Sequence, residues 1–546
     1  MFISKKTGKF TTLSNWIFAI STLCMSILFS TSENINMKAI LASVIIAIGF
    51  CFFFCIKKKV QNCLLDKKLN IKFALISVIS TIFAEIQFFI SFKRRYNPVV
   101  NDILSRLNLQ LNGNVITVIA TIFFVLLSSL AICSCLYIFY SKISDFAKRM
   151  ISKLDKVDKT YMLTAFFLFS VLIIVSYILT YVFFGTQIYN GIKYDVIFTT
   201  DSGNLFETNC WLNIGADEND LRQPLFGLLS APFTVFPYAI SKVLFFVPNL
   251  YAFLLAIQQA FILIFSINLI VRMLNLSSIS KAFSLTLLTV TFPTMLFALN
   301  LEQYIYALFW FVLCLHGLIN KEKNSETLFI AATGGLITNS ALYLLMIEKT
   351  TVKKNLIKLI KLIFYFLAVC FIFGRGCVIT SAGSGISNLV SFSGKSVTFL
   401  QKIMQYTNFV FSCIVCPKTT MAESVQLAPS EGFNFIGIAI FAICAISFVL
   451  NMKNKFARVS IAWVAYSMVL LILLGWGSQE NGMILYSLYF GWAFLSLLIL
   501  LIEKLPKKLN IIKYIIYVSA IVFLAIYNFK GIIEIIKFGK EFYSLV

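Results

Sequence analysis

The chain has 546 residues, with 46 Lys and Arg against 23 Asp and Glu, a net charge of +23 and a mean hydropathy of +0.89. Hydrophobic residues make up 59% of it and charged residues 13%, about half the charged share of a soluble domain, which excludes an ordinary soluble enzyme. The positive charge does not indicate nucleic acid: the lysines lie in short clusters between apolar runs, the pattern that orients inner membrane proteins, and not on one basic face.

A membrane-crossing helix needs about 20 apolar residues. Runs of that kind fall at 13–31, 37–57, 72–92, 115–140, 161–184, 250–272, 280–298, 302–319, 355–374, 433–450, 457–475, 484–502 and 511–528. They predict an all-α polytopic membrane protein with about 13 transmembrane helices. The first run follows Lys5, Lys6 and Lys9 and lacks a small-residue cleavage site, so it reads as a retained helix with a cytoplasmic N-terminus. The basic clusters at Lys57–Lys72 and Lys142–Lys159 then return to the cytoplasm, and helix 161–184 leads out to a non-cytoplasmic loop, 185–249.

Two runs need separate treatment. Residues 225–246 contain Pro232 and Pro237 and follow Pro224; they read as short helices at the outer interface, which keeps Arg272 and Lys281 cytoplasmic. Residues 328–347 have Lys321 and Lys323 before them and Lys349, Lys353, Lys354, Lys358 and Lys361 after them. Both ends favour the cytoplasm, so a re-entrant hairpin is expected, bent near Gly334-Gly335 or Thr338-Asn339. Lys453–Arg458 and Lys504–Lys513 complete the cytoplasmic side, while Lys93-Arg94-Arg95 falls outside as an exception. Lys530–Val546 reads as an amphipathic piece on the outer surface. The expected organisation is a four-helix block at 1–160, a core at 161–374, and a C-terminal part at 375–546 that opens with a second outside loop, 375–432.

The 13 cysteines lie mostly in apolar runs, where a free thiol behaves as a small hydrophobe. Cys413 and Cys416 form a CxxC with no second pair and no nearby His, so unlinked thiols are expected, with a loop disulfide as the alternative. No internal repeat supports an inverted-repeat transporter, and Ser381–Gly385 lacks the Lys-Ser/Thr of a phosphate loop.

The chemistry concentrates in Tyr194–Phe226, which holds Asp195, Asp201, Glu207, Asp217, Glu218 and Asp220 in an otherwise basic protein. Asp201 sits in a Thr-Thr-Asp-Ser-Gly turn that favours a tight, exposed bend. A carboxylate there can act as general base on an acceptor hydroxyl or hold a hard divalent cation. The competing reading for Asp195 and Asp201 is a solvated loop with turn acids.

An early aspartate in a long outside loop, followed by Arg222-Gln223-Pro224-Leu225-Phe226 at the head of the next apolar run, resembles the GT-C superfamily of membrane glycosyltransferases, including the protein O-mannosyltransferases and lipid A aminoarabinose transferases. Gln223 stands where those sequences carry His. Glu302, in Asn300-Leu301-Glu302-Gln303-Tyr304, matches their second acidic residue, and 328–361 resembles their broken Gly-containing hairpin followed by basic residues. The likeness covers about 161–374. It implies inverting transfer of a sugar from a polyprenyl-phosphate donor to a glycan or lipid acceptor of the cell envelope, on the non-cytoplasmic face of the cell membrane. In that scheme Asp201, Asp195 and Glu302 are catalytic, with Asp201 as base or metal ligand. Arg222 and Gln223, and with them Arg375, Lys395 and Glu480, contact the donor phosphate or the acceptor. The bland alternatives are an interface anchor for Arg222 and Arg375, a helix-capping acid for Glu302 and a solvated turn for Glu480. The rival functions are a flippase or transporter for lipid-linked oligosaccharides, a polysaccharide polymerase and a non-catalytic membrane assembly factor. Glu85, within 72–92, reads as an interhelical or partner contact, and His316 as remote from the site.

Overall fold

The computed structural model describes residues 144–145, 148–178, 205, 222–322, 324–347, 351–372, 393, 396–422, 426–478 and 482–544. The four expected spans before residue 141, Glu85, Asp195, Asp201, Arg375, Lys395, Glu480 and Ser381–Gly385 lie outside them.

In chain order the helices are α1 (Lys156–Tyr177), α2 (Phe226–Val243), α3 (Leu250–Met273), α4 (Ser278–Thr289), α5 (Phe292–Leu299), α6 (Tyr304–Ile319) and α7 (Ser325–Gly335). A 3-10 helix, Ile337–Met346, and α8 (Val352–Ile372) follow, then α9 (Phe399–Ser412). A two-stranded antiparallel hairpin, β1 (Thr419–Ala422) and β2 (Gln426–Pro429), pairs Thr419 with Pro429. Last come α10 (Phe435–Leu450), α11 (Lys455–Met468) with a π-turn Val469–Leu473, α12 (Ser487–Glu503) and α13 (Asn510–Ser544).

The starts are set by caps. Asp155 and Asp158 form a reciprocal capping box on α1, and Thr398 and Gln401 do the same on α9. Ser277, Asn434 and Asn454 cap α4, α10 and α11 through their side chains.

Among the described residues five helical stretches are long and apolar enough to cross a membrane: Lys156–Tyr177, Leu250–Met273, Lys455–Leu473, Gly482–Glu503 and Asn510–Ile535. The pair α4 and α5, bent by 60°, makes a sixth if it counts as one broken span. These establish a helical, membrane-embedded protein. The expected crossings 302–319 and 433–450 appear as the apolar helices α6 and α10, each of 16 residues; at about 24 Å they are shorter than the hydrocarbon core.

Three expectations change. Residues 225–246 form the single helix α2 rather than several short ones, with Pro232 and Pro237 inside it. Each proline removes one backbone donor, which an apolar helix tolerates where neighbours supply other contacts. The run 328–347 does break beside Gly334-Gly335, but its second half is a 3-10 helix, and Leu336 is extended at φ −157°, ψ 121°. Lys530–Val546 is not a separate piece: α13 runs unbroken from Asn510 to Ser544, and Gly531 lies within it because a side chain there would collide with Cys416.

The chain divides into two compact units. One comprises Met1–Ser152, Leu212–Leu228 and Lys323–Asn388, and the other Lys153–Trp211, Leu229–Glu322 and Leu389–Val546.

In the first unit, Arg222–Leu225 lies along the α7 break. Leu225 N–H donates to the Gly334 carbonyl at 2.8 Å and Ile337 N–H donates to the Arg222 carbonyl at 2.8 Å. A Cβ on Gly334 would come within 2.6 Å of the Leu225 side chain, so glycine is required for this approach.

In the second unit α3 is central, packing on α1, α4, α5 and α6, while α12 packs on α10 and α11. Phe311, Trp463, Tyr489 and Trp492 interlock in its core. Such aromatic clusters hold a membrane core by packing, because lipid supplies no hydrophobic drive between helices. The bend between α4 and α5 leaves backbone groups that lipid cannot satisfy. Asn528 of α13 donates to the carbonyls of Val290 and Ile414 at 2.8 and 3.0 Å and accepts from Cys416 N–H at 2.8 Å. Phe292 N–H reaches the Ile414 carbonyl, and Thr291 Oγ1 donates to Leu288.

Candidate functional site

The polar groups of the second unit gather at two places. At one, the start of α1 meets the end of α3 and the start of α4. Asp158 is wholly buried; Lys281 Nζ lies 2.5 Å from Oδ1, Arg272 Nε 3.8 Å from Oδ2, and Asn268 donates to Oδ1 at 2.8 Å. Lys281 also contacts Asp155 at 2.8 Å. Burial raises the Asp155 pKa, but the hydrogen bond from Lys281, the backbone N–H of Asp158, the Lys281 charge and the Val157 N–H together outweigh it and hold the carboxyl below its ordinary value. Around this centre Lys153 pairs with Glu322, Lys455 donates to the Ile319 carbonyl, and Lys513 contacts Glu503 and Ser280. These are the helix ends that the charge pattern groups on one side. The grouping is a structural finding, and it locks helix ends together with no catalytic geometry of its own.

The second place is built on Gln259, midway along α3 and fully buried. Its Nε2 donates to the carbonyls of Phe297 and Asn300, both at 2.7 Å, and its Oε1 accepts the Glu302 N–H at 3.0 Å. One amide thereby ties off the end of α5 and the turn into α6. Glu302 has no exposed surface, and its Oε1 accepts the Tyr304 N–H at 3.1 Å. It therefore bonds the first turn of α6, as a capping acid would, but as an enclosed carboxylate instead of a solvated one. Asn300 is buried, and its Nδ2 has no acceptor among the described residues. Tyr304 packs edge-on against Tyr486, the last residue of the turn leading into α12. Tyr251, near the start of α3, donates to the carbonyl of Leu205, four residues along the chain from Asp201.

In the first unit Gln223 is buried, and its Nε2 has no acceptor among the described residues. Arg222 is half-buried and held through its carbonyl by Ile337. The two segments that carry the family resemblance, Arg222–Phe226 and the Gly334-Gly335 break, thus bond directly to each other. The turn Gly475–Ser478 leads toward Glu480; Gly475 and Gly477 hold φ of 68° and 72° there, and Gln405 donates to the Ser478 carbonyl at 3.1 Å.

Cys413 and Cys416 are free and buried, as the unlinked reading expected. His316 lies beside Asn320 at the far end of α6 from Glu302. Among the described residues no group of three His, Cys, Asp or Glu could hold a metal. The sequence reading missed Gln259 and Asn528. Each is a lone amide in an apolar run, and that isolation was the available signal.

No family, no curated protein and no solved structure matches this chain.

Proposed function

We propose that the chain is a GT-C-like membrane glycosyltransferase that moves a sugar from a polyprenyl-phosphate donor to a cell-envelope acceptor on the non-cytoplasmic face. The observation that carries this reading is the enclosed Glu302 carboxylate with the buried, acceptor-less Asn300 amide beside it. A buried donor left unpaired costs about 1–3 kcal/mol, and that cost is recovered if the Asn300 amide meets a polar substrate. At the opposite helix ends Asp155, Asp158 and Glu503 are each matched by a lysine, which favours the Glu302 region as the working end.

In the proposed reaction Asp201 takes the proton of the acceptor hydroxyl. The acceptor oxygen bonds to the anomeric carbon while the bond from that carbon to the phosphate oxygen breaks, and the polyprenyl phosphate leaves with the electron pair. Arg222 balances the phosphate charge through its planar fork. Gln223, which has an amide where the resembling sequences have a base, donates a hydrogen bond and moves no proton. Glu302 orients the sugar or acceptor hydroxyls.

The test is transfer of radiolabelled sugar from polyprenyl phosphate by the full chain in membranes. Asp201→Asn should lower transfer at least 100-fold, the usual worth of a general base, and Glu302→Gln should lower it as well, each at unchanged membrane expression. Full transfer by both variants overturns the assignment.

A further inference from the structure

One groove of the second unit belongs to neither polar centre. It runs along α1 opposite α4 and α5, with Phe529 of α13 beside it, and encloses about 830 Å³. On α1 its wall recurs every three to four residues from Lys156 to Val175, a stripe about 28 Å long, close to the ~30 Å hydrocarbon thickness. On α4 the facing wall is Ala282, Thr286 and Thr289. Ala282 and Thr286 are exposed although half of their helix is buried.

The groove is graded along α1. Lys156 stands at its head, and Thr160, Tyr161 and Thr164 follow within three turns. Tyr161 hydrogen-bonds to Thr289 at 2.7 Å. Beyond Thr164 the wall is Ala165, Leu168, Phe169, Leu172 and Val175. The order is cation, hydroxyls, hydrocarbon. The carboxylates at the head are already matched, Asp155 by Lys281 and Asp158 by Lys281 and Arg272. Lys156 and Lys159 are exposed, with no ion pair among the described residues. The net charge offered at the mouth is therefore positive.

We propose that this groove is a binding site for an anionic phospholipid, with its phosphate on Lys156, its glycerol esters among the Tyr161 and Thr164 hydroxyls and one acyl chain along Leu168–Val175. The grading favours a lipid over a protein helix: cation, hydroxyls and hydrocarbon follow one another along a single stripe, the order of a phospholipid's phosphate, esters and acyl chain. Charge favours an anionic headgroup over a zwitterionic one, since a membrane-proximal lysine attracts anionic lipid within a Debye length. The site is independent of the glycosyltransferase reading, because it uses none of that reading's residues.

Native mass spectrometry of the full chain, titrated with phosphatidylglycerol or with phosphatidylcholine of identical acyl chains, tests it. The wild type should retain phosphatidylglycerol in preference. Lys156→Ala should weaken that retention about fivefold, the worth of one lysine near a lipid phosphate. Ala282→Trp, which fills the groove without altering charge, should remove the tight site for both lipids. If Ala282→Trp does not fold, Lys156→Ala decides. Equal retention of the two lipids by the wild type, unchanged preference in Lys156→Ala, or a co-purifying polypeptide that lipid does not displace each overturns the proposal.

Discussion

Asp158→Asn removes the charge of the α1 anchor. Asparagine keeps the shape, but its single side-chain oxygen can accept either the Asp155 N–H, now on Oδ2 at 3.1 Å, or the Asn268 amide, now on Oδ1, and not both. What disappears is the negative charge facing Lys281 at 2.5 Å and Arg272 at 3.8 Å, on a side chain with no exposed surface. Breaking one partner of a buried pair costs about 3–5 kcal/mol, because the other charge stays desolvated. Here Lys281 retains Asp155 at 2.8 Å, so the loss should sit at the lower end, about 3 kcal/mol. Lys281→Met should cost a similar amount, since Asp158 then depends on the longer Arg272 contact. The double variant should cost clearly less than the sum, with a coupling on the order of 2 kcal/mol. The assay is reversible unfolding in mixed micelles of rising SDS fraction, read by circular dichroism. A loss under about 1 kcal/mol for Asp158→Asn, together with additive behaviour of the double variant, would refute the view that this pair anchors α1.

The pH dependence has a definite sign. Asp155 titrates below its ordinary value of 3.8 when folded, so its contribution is complete above that value and is lost as pH falls through the lowered folded value. The stability difference between wild type and Asp155→Asn should stay flat from neutral pH down to about 5 and shrink below 3.8; a difference that instead grows on acidification contradicts the assignment. Asn528→Leu takes the partner from the Cys416 N–H and from the Val290 carbonyl, while the Ile414 carbonyl keeps the Phe292 N–H, and should destabilise by on the order of 2 kcal/mol, measured by thermal unfolding in detergent. Gly334→Ala places a methyl 2.6 Å from Leu225 Cδ1 and should cost about 1–3 kcal/mol. Adding Leu225→Ala should recover part of that loss, and no recovery would show that the contact does not decide the strain.

The helices around the core were legible because lipid imposes one rule, a long apolar run that satisfies its own backbone. Hence 250–272, 457–475 and 484–502 differ from α3, α11 with its π-turn, and α12 with its leading turn by two residues or fewer at each end. The break beside Gly334-Gly335 was legible because small residues punctuate an otherwise helical run. The continuity of α2 was not, since prolines at 232 and 237 can either end an apolar helix or sit within it. Glu302 stood out as an acid in an apolar context, yet its enclosure depends on Gln259, which is 43 residues away in sequence.

The sequence by itself determined that this is a helical membrane protein and where its apolar runs lie, because hydropathy acts locally and adds along the chain. Only the tertiary structure decided which of the described polar residues are matched and which are left with a donor to spare. That Asp158 is locked by Lys281, and that Gln259 ties the Asn300 carbonyl and the Glu302 N–H, depends on helix packing that brings distant residues within about 3 Å, and no run of neighbouring residues encodes such a meeting.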